Sequence, residues 1–150
     1  MSDLALVWDG HGCDLALDGN DLQLDDGLQT SILISLFSDR RARADDVLPG
    51  GDSDRDRRGW WADAYPVIEG DLLGSRLWLL SREKEIPETL RRAKEYADEA
   101  LAWLVADGIA ARVEVVASVP RRGVLGLAIT VKRLDGRIEN YQYDVLWEAL

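Results

Sequence analysis

Cysteine is almost missing from this chain. Cys13 stands alone among 150 residues, which excludes an internal disulfide framework and a multi-cysteine zinc site and fits folding in a reducing compartment. Histidine is as scarce. A structural zinc site draws its ligands from several Cys and His side chains, whereas Asp9, His11, Cys13 and Asp14 contain the chain's whole supply of both types. That segment reads as a Gly-rich turn between two strands, and no metal or other cofactor is expected. Long apolar runs are absent too: none approaches the ~18 residues of a transmembrane helix. Ser2-Asp3 follows Met1 without a basic region and an apolar stretch, so no secretory signal is expected.

Basic residues are the next shortage, and it is local. Residues 1–54 carry twelve acidic and three basic side chains, so this third holds nearly all of the net charge of −10. Such a surface repels nucleic-acid phosphates and anionic membranes, and the expected partners exclude both. It complements a basic protein, or simply keeps the chain solvated.

What is present is tryptophan in an unusual place. Half of the six tryptophans fall between Arg58-Gly59-Trp60-Trp61 and Gly74-Ser75-Arg76-Leu77-Trp78-Leu79-Leu80. A Trp ring must be packed and its N–H bonded, so the cluster marks a docking surface or a satellite core.

The pattern predicts one α+β domain over residues 1–150. Residues 1–26 form an acidic β element. In it Leu4 to Trp8 is a short strand, and Asp18-Gly19-Asn20-Asp21 turns a hairpin between Leu15-Ala16-Leu17 and Leu22-Gln23-Leu24. Residues 27–38 form a helix, with Asp26 as the candidate cap and Leu28, Ile32 and Leu36 on its apolar face. Residues 39–85 lose periodicity and form a long loop carrying the Trp cluster. Residues 87–107 form the clearest helix, with Leu90, Ala93, Ala97, Leu101 and Leu104 on one face, Pro87 in the first turn and Gly108 as the stop. Residues 109–150 switch to period two and form a three-stranded antiparallel meander, with Asp135-Gly136 at one turn and the long helix as cover. No internal repeat is evident.

Catalytic motifs are not found. The chain has no nucleophile elbow, phosphate loop, dinucleotide fingerprint or zinc-protease helix. Asp52, Asp54 and Asp56, with Asp63 beyond, imitate the spacing of a calcium loop, but Arg57 stands where glycine is required. The arginines at 40, 41, 43, 55, 57 and 58 alternate with aspartates, so ion pairing is the better reading than phosphate binding. Carboxylates such as Glu69, Glu83 and Glu85 leave a glycosidase as a rival reading.

Several longer words give a resemblance. Asp26-Gly27-Leu28, Ser35-Leu36-Phe37-Ser38-Asp39-Arg40-Arg41-Ala42, Arg58-Gly59-Trp60-Trp61, Gly74 to Leu80 and Ala100-Leu101-Ala102-Trp103-Leu104 together resemble the tail protein family of Mu-like phages and prophages. The resemblance covers nearly the whole chain. It implies a non-enzymatic baseplate component of a contractile tail, similar to the lysozyme-like wedge protein from which the sheath starts to polymerise. It also implies wedge and sheath proteins as partners, with self-association through an open sheet edge allowed, and localisation in the virion baseplate after assembly in the host cytoplasm. More distant relatives carry Glu-Pro-Arg where this chain has Ala110-Ala111-Arg112; only the arginine is retained, as a contact to the wedge. The same resemblance implies that the sheath meets the C-terminal strands by strand addition, with residues 138–147 as the expected edge. The expected interaction residues are Arg58, Trp60, Trp61, Arg76, Trp78, Arg112, Tyr141, Tyr143 and Trp147. A soluble acidic regulatory module, acting through the N-terminal third, is the remaining rival.

Overall fold

A computed structural model describes residues 3–25 and 27–150; the expected cap Asp26 lies outside them. The N-terminal element is not a simple hairpin. Six short strands, β1 (Asp3–Leu4), β2 (Leu6–Trp8), β3 (Cys13–Leu15), β4 (Leu17–Asp18), β5 (Asp21–Leu22) and β6 (Leu24–Asp25), pair as β1 with β6, β2 with β3, and β4 with β5. Each of three chain segments therefore splits its pairing between the other two. At the centre the backbone closes a ring: the Ala5 amide donates to the Gln23 carbonyl, Gln23 to Ala16, and Ala16 back to Ala5, at 2.8–2.9 Å. The predicted turn at Gly19-Asn20 is present, with Gly19 at a φ of +64°. The ladder it closes is only two residues per strand, because the strands diverge after Leu17 and Leu22 to find other partners.

This element is clamped to α1 (Gln29–Phe37). The buried Thr30 hydroxyl accepts the Leu6 amide and donates to the Leu4 carbonyl. With Asp26 outside the described residues, Asp25 serves the helix entrance: its carboxylate accepts the amides of Gly27 and Thr30 at 2.8 and 2.7 Å. Negative charge there also opposes the positive helix end. Trp8 stacks on Phe37 with ring centroids 4.1 Å apart.

The expected long helix is real but interrupted. It runs as α2 (Pro87–Leu101) and resumes as α3 (Trp103–Ala106). Pro87 occupies the first turn and Gly108, at a φ of +70°, follows the end, as expected of a residue that can turn left-handed without strain. Ala93, Ala97, Leu101 and Leu104 are fully buried, joined by Tyr96 and Ala100.

The three predicted strands are β7 (Ala110–Arg121), β8 (Val124–Arg133) and β9 (Ile138–Leu146), antiparallel in that order. The central strand buries Leu125, Leu127, Ile129 and Val131, and Gly136 makes the turn into β9 at a φ of +88°. Helix α2 covers the apolar face, so period-two and period-3.6 patterns meet in one core.

The predicted loop contributes to that core. Its last segment, Leu77–Leu80, forms a buried 3-10 turn between α2 and the sheet. No helix in the described residues is long and apolar enough to cross a membrane.

Candidate protein-interaction surfaces

The loop between the helices is tied down at its base. Arg40 and Ser75 exchange backbone contact beside Ser38, with Arg40 N donating to Ser75 O and Ser75 N to Ser38 O, both at 2.9 Å. Gly74 makes this approach feasible: at a φ of +88°, a Cβ there would sit 2.3 Å from the Ser38 carbonyl oxygen. Trp78 is buried and its indole donates to the Arg40 carbonyl at 2.8 Å. Arg58 lies over the Trp78 ring at 4.5 Å and pairs with Asp39 at 2.8 Å.

A largely buried charge network holds the other side. Arg76, 8% exposed, donates to Glu99 at 2.9 Å and to Asp46 at 2.8 Å, and its guanidinium lies over Tyr96. Burial works against its charge, but the two carboxylates win and hold Arg76 above the ordinary arginine value. Arg40 is the weaker member. Burial pulls it below the ordinary value, Glu99 at 3.6 Å offsets this only in part, and its Nε is buried without a partner among the described residues. Paired, hydrogen-bonded charges of this kind tolerate burial; a lone one would not.

From this base the backbone turns outward. Arg58 has a φ of +48°, rare for a non-glycine residue, and Gly59 follows at +101°. The pair delivers Trp60 and Trp61 to the surface, 50% and 78% exposed. Beyond these two rings, Tyr65, Val67, Ile68 and Leu72 are exposed as well. Together they form an exposed apolar group on one anchored loop, a candidate docking surface. The only sequence signal for its extension was Tyr65-Pro66-Val67-Ile68, an apolar run with no period to bury it.

The expected interaction residues thus divide. Arg58, Trp60, Trp61 and Arg112 are exposed. Arg76, Trp78, Tyr143 and Trp147 are buried in this chain. They belong to its core, because the Trp indoles and the Arg76 guanidinium find their hydrogen-bond partners internally; the Trp147 N–H donates to the Leu80 carbonyl at 2.7 Å. Burial also pushes the Tyr143 hydroxyl far above its ordinary pKa. Tyr141 is half-buried, and its hydroxyl donates to Glu139 at 2.7 Å. Burial, followed by that carboxylate, raises its pKa to about 12.

The two sheet edges differ. Along β9 the outer edge is partly taken: the Trp8 indole donates to the Asp144 carbonyl, and the Leu146 amide donates to the Gly10 carbonyl. Along β7 no backbone group outside β8 bonds to residues 111–120 among the described residues. Beside this free edge runs a groove of about 830 Å³ lined by Leu101, Val105, Val113 and Val116. Arg112 stands at its start next to a register shift, paired with Glu114.

Two of the three carboxylates that suggest a glycosidase, Glu83 and Glu85, are engaged elsewhere. Glu83 pairs with Arg92 at 3.1 Å, and Glu85 accepts the Gly123 amide at 2.8 Å. Asp9 accepts the amides of His11 and Gly12, which makes the Gly-rich segment a closed turn. Asp54 similarly binds the amides of Gly50 and Asp56. Among the described residues no group of three or more His, Cys, Asp or Glu is placed to hold a metal ion.

An α+β chain whose charges pin a loop, and whose largest exposed side chains and free strand edge face outward, has the make-up of an assembly subunit. Residues 28–138 match the family described as Phage protein GP46, and the chain belongs to that family. It is 47% identical over 150 residues to Baseplate protein gp46 of Escherichia phage Mu, covering 100% of both chains. It is 44% identical over 147 residues to Mu-like prophage FluMu protein gp46 of Haemophilus influenzae, covering 98% of both. These relatives support a structural role in a phage baseplate.

Proposed function

We propose that this protein is a structural subunit of a contractile-tail baseplate that joins wedge proteins and starts the tail sheath by strand addition. The free edge of β7 carries the reading. It is twelve residues long, lies beside an apolar groove, and offers unpaired backbone groups for affinity and alternating side chains for register. This moves the proposed sheath contact from residues 138–147 to 110–119, since the N-terminal segment already covers part of β9. The Trp60-Trp61 surface and Arg112 supply the wedge contacts, with large aromatic side chains as anchors. Assembly takes place in the host cytoplasm before the subunit resides in the virion.

The test is complementation of a prophage lacking the gene. Val116 is 62% exposed on β7, so Val116→Asp alters the groove without touching the core. The expected result is a stable protein that enters baseplates but leaves tails without sheath. Normal sheathed tails from this variant would remove β7 from the account.

A further inference from the structure

The N-terminal three-way junction carries a pattern that the sheath and wedge surfaces do not use. Each arm places a leucine on both sides of its central residue: Leu4-Ala5-Leu6, Leu15-Ala16-Leu17 and Leu22-Gln23-Leu24. The register then pairs these leucines two by two, Leu4 with Leu24, Leu6 with Leu15 and Leu17 with Leu22. Cross-strand partners share a face, as do residues two apart. Leu6 packs against the core. The other five remain exposed, between 41% for Leu22 and 67% for Leu17.

The surrounding charge is of one sign. Residues 3–25 hold six aspartates and no Lys or Arg. The ladders set Asp3 opposite Asp25 and Asp18 opposite Asp21, an arrangement that costs stability on its own. Among the described residues none of the six forms an ion pair. Asp25 is compensated by two amides at the α1 entrance, whereas at the arm tip Asp21 accepts only the neighbouring Leu22 amide at 2.9 Å and no cation offsets the Asp18–Asp21 pair among the described residues.

We infer that this junction is a second docking surface, whose occupant is a basic, apolar-faced segment of a different protein. Leucines exposed within an aspartate rim fit a strand or helix with one apolar face and Lys or Arg at its margins. A second copy of this chain is the wrong occupant, because it would oppose aspartates to aspartates. The inference goes beyond the baseplate reading, from which it takes only the place to look for the partner.

The experiment uses the full chain and overlapping synthetic peptides that tile the sheath and the other baseplate proteins of the same phage, with sequence-scrambled peptides as controls. At least one net-basic peptide is expected to bind well above its scrambled form, with affinity falling steeply as salt approaches physiological strength and beyond. Leu17→Ser with Leu22→Ser should weaken binding roughly tenfold or more. Asp18→Asn with Asp21→Asn should weaken it similarly while leaving the Tm unchanged or raised, since that pair removes a repulsion. A purely structural role for the aspartates would not separate stability from binding in this way. The inference is overturned if no basic peptide exceeds its control, if binding survives both double variants, or if the leucine variant instead dissolves a dimer of this chain. Entry of the wild-type protein into tails, scored separately, tells failure here from failure of the baseplate reading.

Discussion

At the residue scale, the loop base depends on a few side chains that cannot be exchanged. Arg76→Met leaves the nearly buried Asp46 without an ion-pair partner among the described residues, while Glu99 keeps Arg40 and Arg43, and a loss of about 3 kcal/mol is expected in denaturant unfolding. Lysine at this position should restore little, because one ammonium cannot reproduce the forked contact to both carboxylates. Gly74→Ala pushes a methyl into the Ser38 carbonyl and should lower stability by about 1–3 kcal/mol. Tyr141 gives a pH signature. Its folded pKa of about 12 exceeds the ordinary 10.0, so its contribution is complete below pH ~10 and fades as pH rises through the folded value. Tyr141→Phe should therefore reduce the alkaline limb of the stability curve, and a spectrophotometric titration should find two tyrosines ionising late, Tyr141 and the more deeply buried Tyr143, with only the latter left in the variant. The exposed Trp60 and Trp61 were legible from their Gly-flanked setting. The burial of Trp78 and Arg76 was not, because the same words, Gly-Ser-Arg-Leu-Trp, read equally as surface or satellite core until the partners Asp46 and Glu99 are known.

At the scale of elements, period decided what could be read. Helix α2 and strands β7 to β9 announce themselves because each has one face against a single core, and Pro87, Gly108 and Asp135-Gly136 mark their ends. The N-terminal element resisted because its strands are two or three residues long and change partner at Ala5, Ala16 and Gln23. No local pattern encodes a partner switch; the Leu-X-Leu words were visible but lacked a reason to be grouped. Strand β9 also shows why a deletion can mislead. It places Tyr143 and Val145 in the core, with Trp147 just beyond, so removing residues 138–150 should unfold the chain, with loss of cooperative thermal melting. Absent sheath in such a truncation would report folding, not recruitment. The point variant on β7 avoids this confusion.

At the scale of the molecule, the chain separates a core that needs no partner from surfaces that do. Trp60→Ser with Trp61→Ser should leave the Tm within the small range typical of surface changes, about 0.5 kcal/mol in stability, yet reduce incorporation into baseplates. Equal incorporation by the double variant would limit the Trp loop to a local structural role. Family membership was legible from long specific words spread across the chain, whereas the choice of sheet edge depended on Trp8 and Gly10 folding back onto β9, a tertiary event without a sequence signal. The most direct test of the central claim is a cryo-electron microscopy reconstruction of baseplates from induced particles. The account predicts this subunit inside the baseplate, with a sheath strand hydrogen-bonded along residues 110–119. A β7 edge open to solvent in a sheathed tail, or a baseplate that lacks the subunit, would contradict it.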